Sequence, residues 1–492
     1  MKKKYVRWTL WTIASPFILF IILCILIYLP PIQNFLVDKA AVYASEATGM
    51  NISVGRISLS FPLNLVVTNV DAASPHNDTL LSVRRLQVNV QLLPLLKKQV
   101  EVDGISLQGA TVNSNDLIHG MKLNGTLGEL FISSHGVALD PETAIVNKVL
   151  LKDTDLSLCL NDTAAADTAA SDTAYWKIIL QDIDLQNVSF ALDMPLDSLS
   201  LAASLDNAIL RDGLIDLHKS AYSLQTFRIE NGRVRYDNGK PLAADSLSSG
   251  LDPSHIALTD IGVKLDSLYY GGRNMKAIIS QFVLKERSGV EIVSATGRMV
   301  SNDKVLRVPS LKLETRDSYL ELNAAMDWNA LDFKDEGLVS ARLMADIGKP
   351  DVVRFMGSMD EKFIRQYPSE PLRIRTGIDG DLNKLKLTTL TAELPGALGL
   401  FARGELTHLT DSLLRGGDIT LEAETKDLKF VSTLAEGIEI PYGTRLEGKF
   451  TMAGTKMGTD LLLMQPEAQA VVAADTIPIT VYNDSISVAD DF

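Results

Sequence analysis

Apolar and polar residues alternate with a period of two along most of the chain. Ile52 and Val54, then Ile57, Leu59 and Phe61, are apolar at every second position with polar residues between. The alternation returns at Leu86, Val88, Val90 and Leu92, and at Leu156, Leu158 and Leu160. It is also present at Leu320, Leu322, Ala324, Met326 and Trp328, and at Ile477, Ile479 and Val481. Such a pattern predicts strands with one apolar and one wetted face, so the fold class is mainly β. One break is helical, because Val352, Val353, Phe355, Met356, Phe363 and Ile364 cluster between Asp351 and Tyr367.

The first fifty residues follow other rules. Trp8–Leu29 is a run of 22 residues without a charged side chain. As a helix it spans about 33 Å, enough to cross a hydrocarbon core of about 30 Å. Trp8, Trp11, Phe17, Phe20 and Leu29 are its predicted anchor residues, with Trp8, Trp11 and Tyr28 near the two interfaces. Lys2, Lys3, Lys4 and Arg7 precede it, which predicts a cytoplasmic basic tail over residues 1–7 and a body on the far side. A cleaved signal peptide would be shorter and end in a small-residue site, whereas this run continues into Pro30 and Pro31. Over residues 30–49 the period becomes helical, with Ile32, Phe35, Leu36, Ala40, Tyr43 and Ala47 on one face and Gly49 as a stop. This amphipathic helix either plugs the end of the β body or lies on the outer leaflet of the membrane.

Within the predicted body, residues 50–492, one arrangement recurs: apolar, two residues, apolar, one, apolar, four, apolar. It occurs at Val102-Ile105-Leu107-Val112, Val146-Val149-Leu151-Leu156 and Leu180-Ile183-Leu185-Phe190. Two further copies are Leu224-Phe227-Ile229-Val234 and Leu258-Ile261-Val263-Leu268. The odd step of five would flip the last apolar residue to the wrong face unless a bulge restores register. Gly109, Asp153, Asn187 and Asn231 stand two residues after the third position, and these types best tolerate left-handed backbone. The fifth copy has Leu265 there, so it departs from the rule.

Composition removes several functions. The chain has 47 basic and 61 acidic residues, a net charge of −14, which disfavours nucleic-acid partners. Cys24 and Cys159 are too few for a disulfide framework. The six histidines form no metal-binding spacing, and no nucleophile elbow, phosphate loop or dinucleotide fingerprint is present. No catalytic residue, metal or cofactor is predicted, and the chain does not read as an enzyme. Residues 161–174 (NDTAAADTAASDTA) predict an exposed loop. Its Asp-Thr-Ala repeats make Thr163, Thr168 and Thr173 candidate O-glycosylation sites, against the plainer reading of a flexible low-complexity loop.

The order of these features is familiar. A transmembrane helix, an amphipathic helix and the stretch from Ala47 to Leu59 (ATGMNISVGRISL) resemble the start of AsmA-like proteins. Val66-Val-Thr-Asn-Val-Asp, Leu80 to Val90 (LLSVRRLQVNV) and Val100 to Ala110 continue the likeness, which is greatest to the TamB family. TamB is the inner-membrane subunit of the translocation and assembly module. The resemblance covers roughly the first 120 residues and is a matter of pattern thereafter; TamB proteins are usually much longer.

The resemblance implies a long, curved, groove-forming sheet of the bridge-like lipid-transfer kind, anchored in a bacterial inner membrane with its body in the periplasm. It implies work in outer-membrane biogenesis, with phospholipid as cargo and an outer-membrane barrel or outer-membrane protein clients as partners. On this reading Ile105, Leu107, Ile183, Leu185, Phe227, Ile229, Ile261 and Val263 line the groove. The alternative is a scaffold that helps insert outer-membrane proteins by adding strands to its own exposed edges.

Overall fold

The computed structural model describes most of residues 39–464 and three short strands between 475 and 488. The gaps are 40, 43–44, 47, 61–63, 75–77, 92–101, 115–119, 139–141, 162–175, 241–249, 335–336, 357–360, 434–441 and 455. The predicted span Trp8–Leu29, the basic tail and Thr163, Thr168 and Thr173 lie outside the described residues. Among the described residues no helix is long and apolar enough to cross a membrane. Lys39, Ala41, Val42, Ser45, Glu46 and Thr48 are helical, and the helix stops where predicted. Gly49 has φ +69° and donates its N–H to Ser45 O at 2.9 Å, a left-handed terminus that glycine adopts without a Cβ penalty.

The chain is mainly β and divides into two compact units, the first comprising residues 1–219 with 234–239 and the second the remainder. The first unit holds β1 (Asn51–Ser60), β2 (Asn64–Ala73), β3 (Thr79–Val90), β4 (Val102–Asn113), β5 (Met121–Ala138), β6 (Thr143–Leu160), β7 (Lys177–Met194) and β8 (Leu199–Asp216). Each strand pairs with the next in sequence, and every pair is antiparallel except β6–β7. That pair is parallel, with Thr143 beside Lys177 and Cys159 beside Asp193, so the two strands lie in register at an offset of 34 residues. The second and third copies of the recurring arrangement are therefore superimposed side by side. At β1, whose one ladder among the described residues is to β2, the Ile52 N–H donates to the Ser45 hydroxyl at 3.0 Å. The last helical turn is thus tied to this strand.

The second unit contains β9 (Ala221–Leu224), residues 226–233 of β10 (Thr226–Asp237), β11 (His255–Gly271), β12 (Asn274–Glu286), β13 (Glu291–Ser301), β14 (Val305–Thr315) and β15 (Tyr319–Asp327). It continues through β16 (Leu338–Ile347), β17 (Leu372–Asp381), β18 (Lys384–Leu394), β19 (Leu398–Thr407), β20 (Gly416–Thr425), β21 (Arg445–Ala453) and β22 (Lys456–Met464). Short strands β23 (Asp475–Thr476), β24 (Ile479–Tyr482) and β25 (Ser485–Val488) follow. From β11 to β22 the sheet is an antiparallel meander. Helix α1 (Trp328–Leu331) lies between β15 and β16, and α2 (Lys349–Phe355) and α3 (Glu361–Gln366) between β16 and β17. The last two occupy the predicted helical break, although Phe355 and Met356 are exposed rather than packed.

Both clusters of buried apolar residues belong to the second unit and sit at opposite ends of its strands. At one end Phe363 of α3, 2% exposed, packs with Tyr367, Leu394, Ala397, Leu428 and Phe430. The rings of Phe363, Tyr367 and Phe430 stand 5.1–5.8 Å apart in tilted and edge-on contacts. Asp351 of α2 fastens the same end, accepting hydrogen bonds from the hydroxyls of Thr315 and Ser318 and pairing with Arg354 at 3.0 Å. At the other end Ala330 of α1 packs with Val339 and Leu382, and Met326, Leu385 and Leu409 close around them.

Candidate functional site, an apolar face built row by row

In the first unit the ladders align apolar side chains into rows that cross all eight strands. One row runs through Leu59, Leu65, Val88, Ile105, Ile132, Val149, Ile183 and Leu210. Its neighbour runs through Ile57, Val67, Leu86, Leu107, Leu130, Leu151, Leu185 and Ala208. A third contains Val54, Val70, Val83, Ala110, Leu127, Thr154, Val188 and Leu205, and a fourth Ile52, Ala72, Leu81, Val112, Gly125, Leu156, Phe190 and Ala203. No ionisable side chain stands in any of the four. Thr154, the one hydroxyl, is satisfied locally by the Lys152 carbonyl at 3.0 Å.

Between the second and third rows every strand steps by three residues instead of two. On β2, β4, β6 and β7, which run in one direction, the extra residue is Asn69, Gly109, Asp153 or Asn187, with φ between +49° and +60°. The expectation for Gly109, Asp153 and Asn187 is met, and Asn231 in the second unit is also left-handed at +54°. Leu265 is not among the residues of positive φ. Only short polar side chains and glycine accept this backbone at low cost, which explains the residue types. The strands running the other way carry Gly55, Arg84, Gly128 and Asp206 at the same level, without positive φ. Two of these are glycines because the neighbour comes close: a Cβ on Gly128 would lie 2.7 Å from Asp153 Cβ, and one on Gly55 3.0 Å from Asn69 Cβ. The result is a continuous crease across the sheet, and a line of inserted residues of this kind bends and twists the strands that carry it.

The opposite face of the first unit carries its charged and most of its polar residues, although one row there, Ser58, Val66, Gln87, Ser106, Phe131, Leu150, Asp184 and Ile209, is half apolar. The row beside the crease holds Arg56, Thr68, Arg85, Gln108, Glu129, Lys152, Gln186 and Asn207. Ser82 donates to Asp71 at 2.6 Å, and Arg211 pairs with Asp184 at 2.8 Å. The extensive contacts of β1–β8 are all between ladder neighbours, so among the described residues no second layer covers the apolar face. Most of its side chains are half-buried and Ile105, Leu81 and Phe190 are exposed, while Val67, Val83, Ala110, Thr154 and Ala208 beside the crease, and Ala72, are buried by their neighbours in the sheet.

The second unit repeats the design with walls. Leu313, Leu320, Ala345, Ile374, Ala392, Leu400, Ala423 and Leu446 form one row across β14–β21. Leu311, Leu322, Leu343, Thr376, Leu390, Ala402, Leu421 and Gly448 form the next. These rows lie between the Phe363 cluster at one strand end and the Ala330 cluster at the other, which makes a trough. The reverse face carries the ion pairs Arg375–Asp346 at 2.7 Å, Lys449–Asp418 at 3.0 Å and Lys384–Glu405 at 3.1 Å.

Four of the eight predicted lining residues are brought together, since Ile105 and Ile183 share one row of the first unit and Leu107 and Leu185 the next. Phe227, Ile229, Ile261 and Val263 fall in the second unit and are half-buried. Val263 pairs with Phe282 across β11–β12. Ile229 and Val263 also border a depression walled by Arg228, Glu230, Asp260, Lys264 and Gln281, a more polar setting than the alternation implies. Lys285 stands at 2.8 Å from Asp260, whose hydrogen bond holds the Lys285 ammonium above its ordinary pKa. The trough rows and their walls escaped the sequence reading, although the alternation at Leu320, Leu322, Ala324 and Met326 marked one strand of them.

Among the described residues no three His, Cys, Asp or Glu side chains converge as a metal site. Comparison with family models, with characterised proteins and with solved structures gives no match for this chain.

Proposed function

We propose that the chain is an inner-membrane protein of a double-membraned bacterium that carries phospholipid along its apolar face through the periplasm. The observation that carries this reading is the set of four rows, each crossing eight strands, free of ionisable groups and uncovered by any second layer among the described residues. Burying an acyl CH₂ against such a face is worth about 0.8 kcal/mol, so a chain of ordinary length is held without any specific polar contact. A face that must be covered by something, and that is uniform along its length, suits a cargo that is itself apolar and slides. The likeness of the first 120 residues to AsmA-like proteins and the uncharged run Trp8–Leu29 supply the anchor, the compartment and the role in outer-membrane biogenesis.

Photo-crosslinking in intact cells tests it. A photoreactive side chain at Ile183 should yield phospholipid adducts by mass spectrometry, while one at Asp184, on the polar face of the same strand, should not. Absence of lipid at Ile183, or equal yields at both positions, would overturn the assignment and turn attention to protein clients.

A further inference from the structure

The strands β11–β21 alternate in direction, so the turns at 272–273, 302–304, 328–337, 382–383 and 408–415 all lie at one rim of the second unit. Large apolar side chains concentrate there, outside the Ala330–Leu382 cluster. Tyr222 and Tyr270 are directly paired, exposed and stacked with ring centroids 6.2 Å apart. Leu331 is exposed, and Phe333, Leu413 and Leu414 project further, at 75%, 81% and 64%.

These tips are built rather than loose. The Phe333 N–H donates to Ala330 O at 3.1 Å and the Lys334 N–H to Asn329 O at 2.7 Å. The Asp411 carboxylate accepts the N–H groups of Leu413 and Leu414 at 2.8 and 3.2 Å. Phe333 itself has φ +55°, a backbone region that a bulky aromatic residue rarely adopts. Strain is thus accepted to hold an aromatic ring in solvent, and strained positions of this kind concentrate where a protein meets a ligand.

The geometry points to this rim as a membrane-docking edge, which rests on a zwitterionic phospholipid surface with Phe333, Leu413 and Leu414 inserted among the acyl chains. Two arguments favour a lipid surface over a protein. Leu331, Phe333, Leu413 and Leu414 offer on the order of 400 Å² of apolar surface, about half of one partner's share of a standard protein interface. The residues stand on two turns of the same rim, 328–334 and 408–415, beside Arg273, Lys304, Lys334, Lys384 and Arg415, of which Arg273 and Lys334 also pair with Asp332 and Lys384 with Glu405. Aromatic, aliphatic and basic side chains at one rim are the composition of a membrane-interface belt. The net charge of −14 selects zwitterionic over anionic lipid.

The inference stands apart from lipid carriage, because crosslinking at Ile183 can succeed or fail whichever way the rim behaves. The test uses the full-length chain with Cys24→Ser and Cys159→Ser, labelled at Leu413→Cys with an environment-sensitive fluorophore. Phosphatidylcholine vesicles should shift its emission to the blue, and brominated phosphatidylcholine in those vesicles should quench it. A label at Glu370→Cys, exposed at the opposite rim, should stay silent. Adding Phe333→Ser and Leu414→Ser should weaken the bromolipid quenching of the label at 413 roughly tenfold or more with circular dichroism unchanged, a local readout that vesicle binding through Trp8–Leu29 does not move. A silent label at 413, or an equal response at 370, would overturn the proposal. So would a blue shift that rises with protein concentration without vesicles, which would assign the rim to a second copy of the chain.

Discussion

The Asn187 side-chain amide donates to the Asp153 carboxylate at 2.8 Å, between two left-handed residues at the same level of the parallel pair β6–β7. Residues 34 apart in sequence thus support each other's backbone. Non-glycine residues other than Asn and Asp bear a cost of about 1–2 kcal/mol in this conformation. Asn187→Val should therefore lower the stability of the first unit by about that amount, and Asn187→Gly should lose only a fraction of it. Urea denaturation of both variants measures the difference; equal losses would show that the hydrogen bond, not the backbone, decides.

Gly128→Val probes the other side of the crease. The new Cβ would sit 2.7 Å from Asp153 Cβ and 3.0 Å from the carbonyl oxygens of both Asp153 and Lys152. Overpacking of this kind costs about 1–3 kcal/mol. Amide exchange should speed up in β5 and β6 first. Unchanged protection there would mean that the crease gives way without strain.

Leu107→Asp combined with Leu185→Asp places two carboxylates in one apolar row that no other layer covers among the described residues. Both positions are half-buried, so the fold should survive by circular dichroism. Lipid adducts captured at Ile183 should fall to the level of the polar face. Adducts at the original yield would argue that lipid does not pass along this row.

Acid should loosen the start of β11. His255 Nδ1 lies 2.8 Å from Asp252 Oδ2, and the Ser254 N–H donates to the other oxygen at 2.9 Å. The His255 hydrogen bond, then that of Ser254, holds the Asp252 carboxyl below its ordinary pKa. A carboxylate lowered on folding contributes stability above its unfolded pKa and loses it as pH falls through the folded one. Thermal melts from pH 7 downward should show this loss in the wild-type chain and a flatter acid limb in Asp252→Asn. Parallel curves would remove the pair from the account.

Phe363→Ala should be the costliest single change at the walls. A ring 2% exposed, packed on Tyr367 and Phe430, leaves a cavity worth about 3–5 kcal/mol when truncated. Proteolysis should open the α2–α3 segment before the strands of the first unit. Simultaneous cleavage of both would contradict that order.

How far the sequence foretold this structure depends on what each residue reports. Alternation at Ile52 and Val54 or at Leu320 and Leu322 reports burial on one side, and strands formed there. The step of five beside Gly109, Asp153, Asn187 and Asn231 reports backbone hand, because those residue types tolerate what others resist. The opposing strands were illegible at the crease. Arg84 and Asp206 occupy the same level with ordinary φ, and no residue preference marks a place where nothing unusual is asked of the backbone. The parallel pairing of β6 with β7 was equally hidden, since strand direction leaves no mark on which side chains are apolar. The walls around Phe363 and Ala330 depend on contacts between turns and helices far apart in sequence. Local periodicity carries no record of those.

The row construction has a consequence for size. Each strand of the first unit contributes one residue to each row, so inserting or deleting a hairpin with the same three-residue step would change only the number of rungs. The profile seen by anything resting on the face would be the same before and after. In such a ladder stability is close to a sum over neighbouring strands, so length can be altered without redesigning what is already there. A family built this way could measure out the distance between two surfaces by counting strands, in increments of about 4.8 Å each.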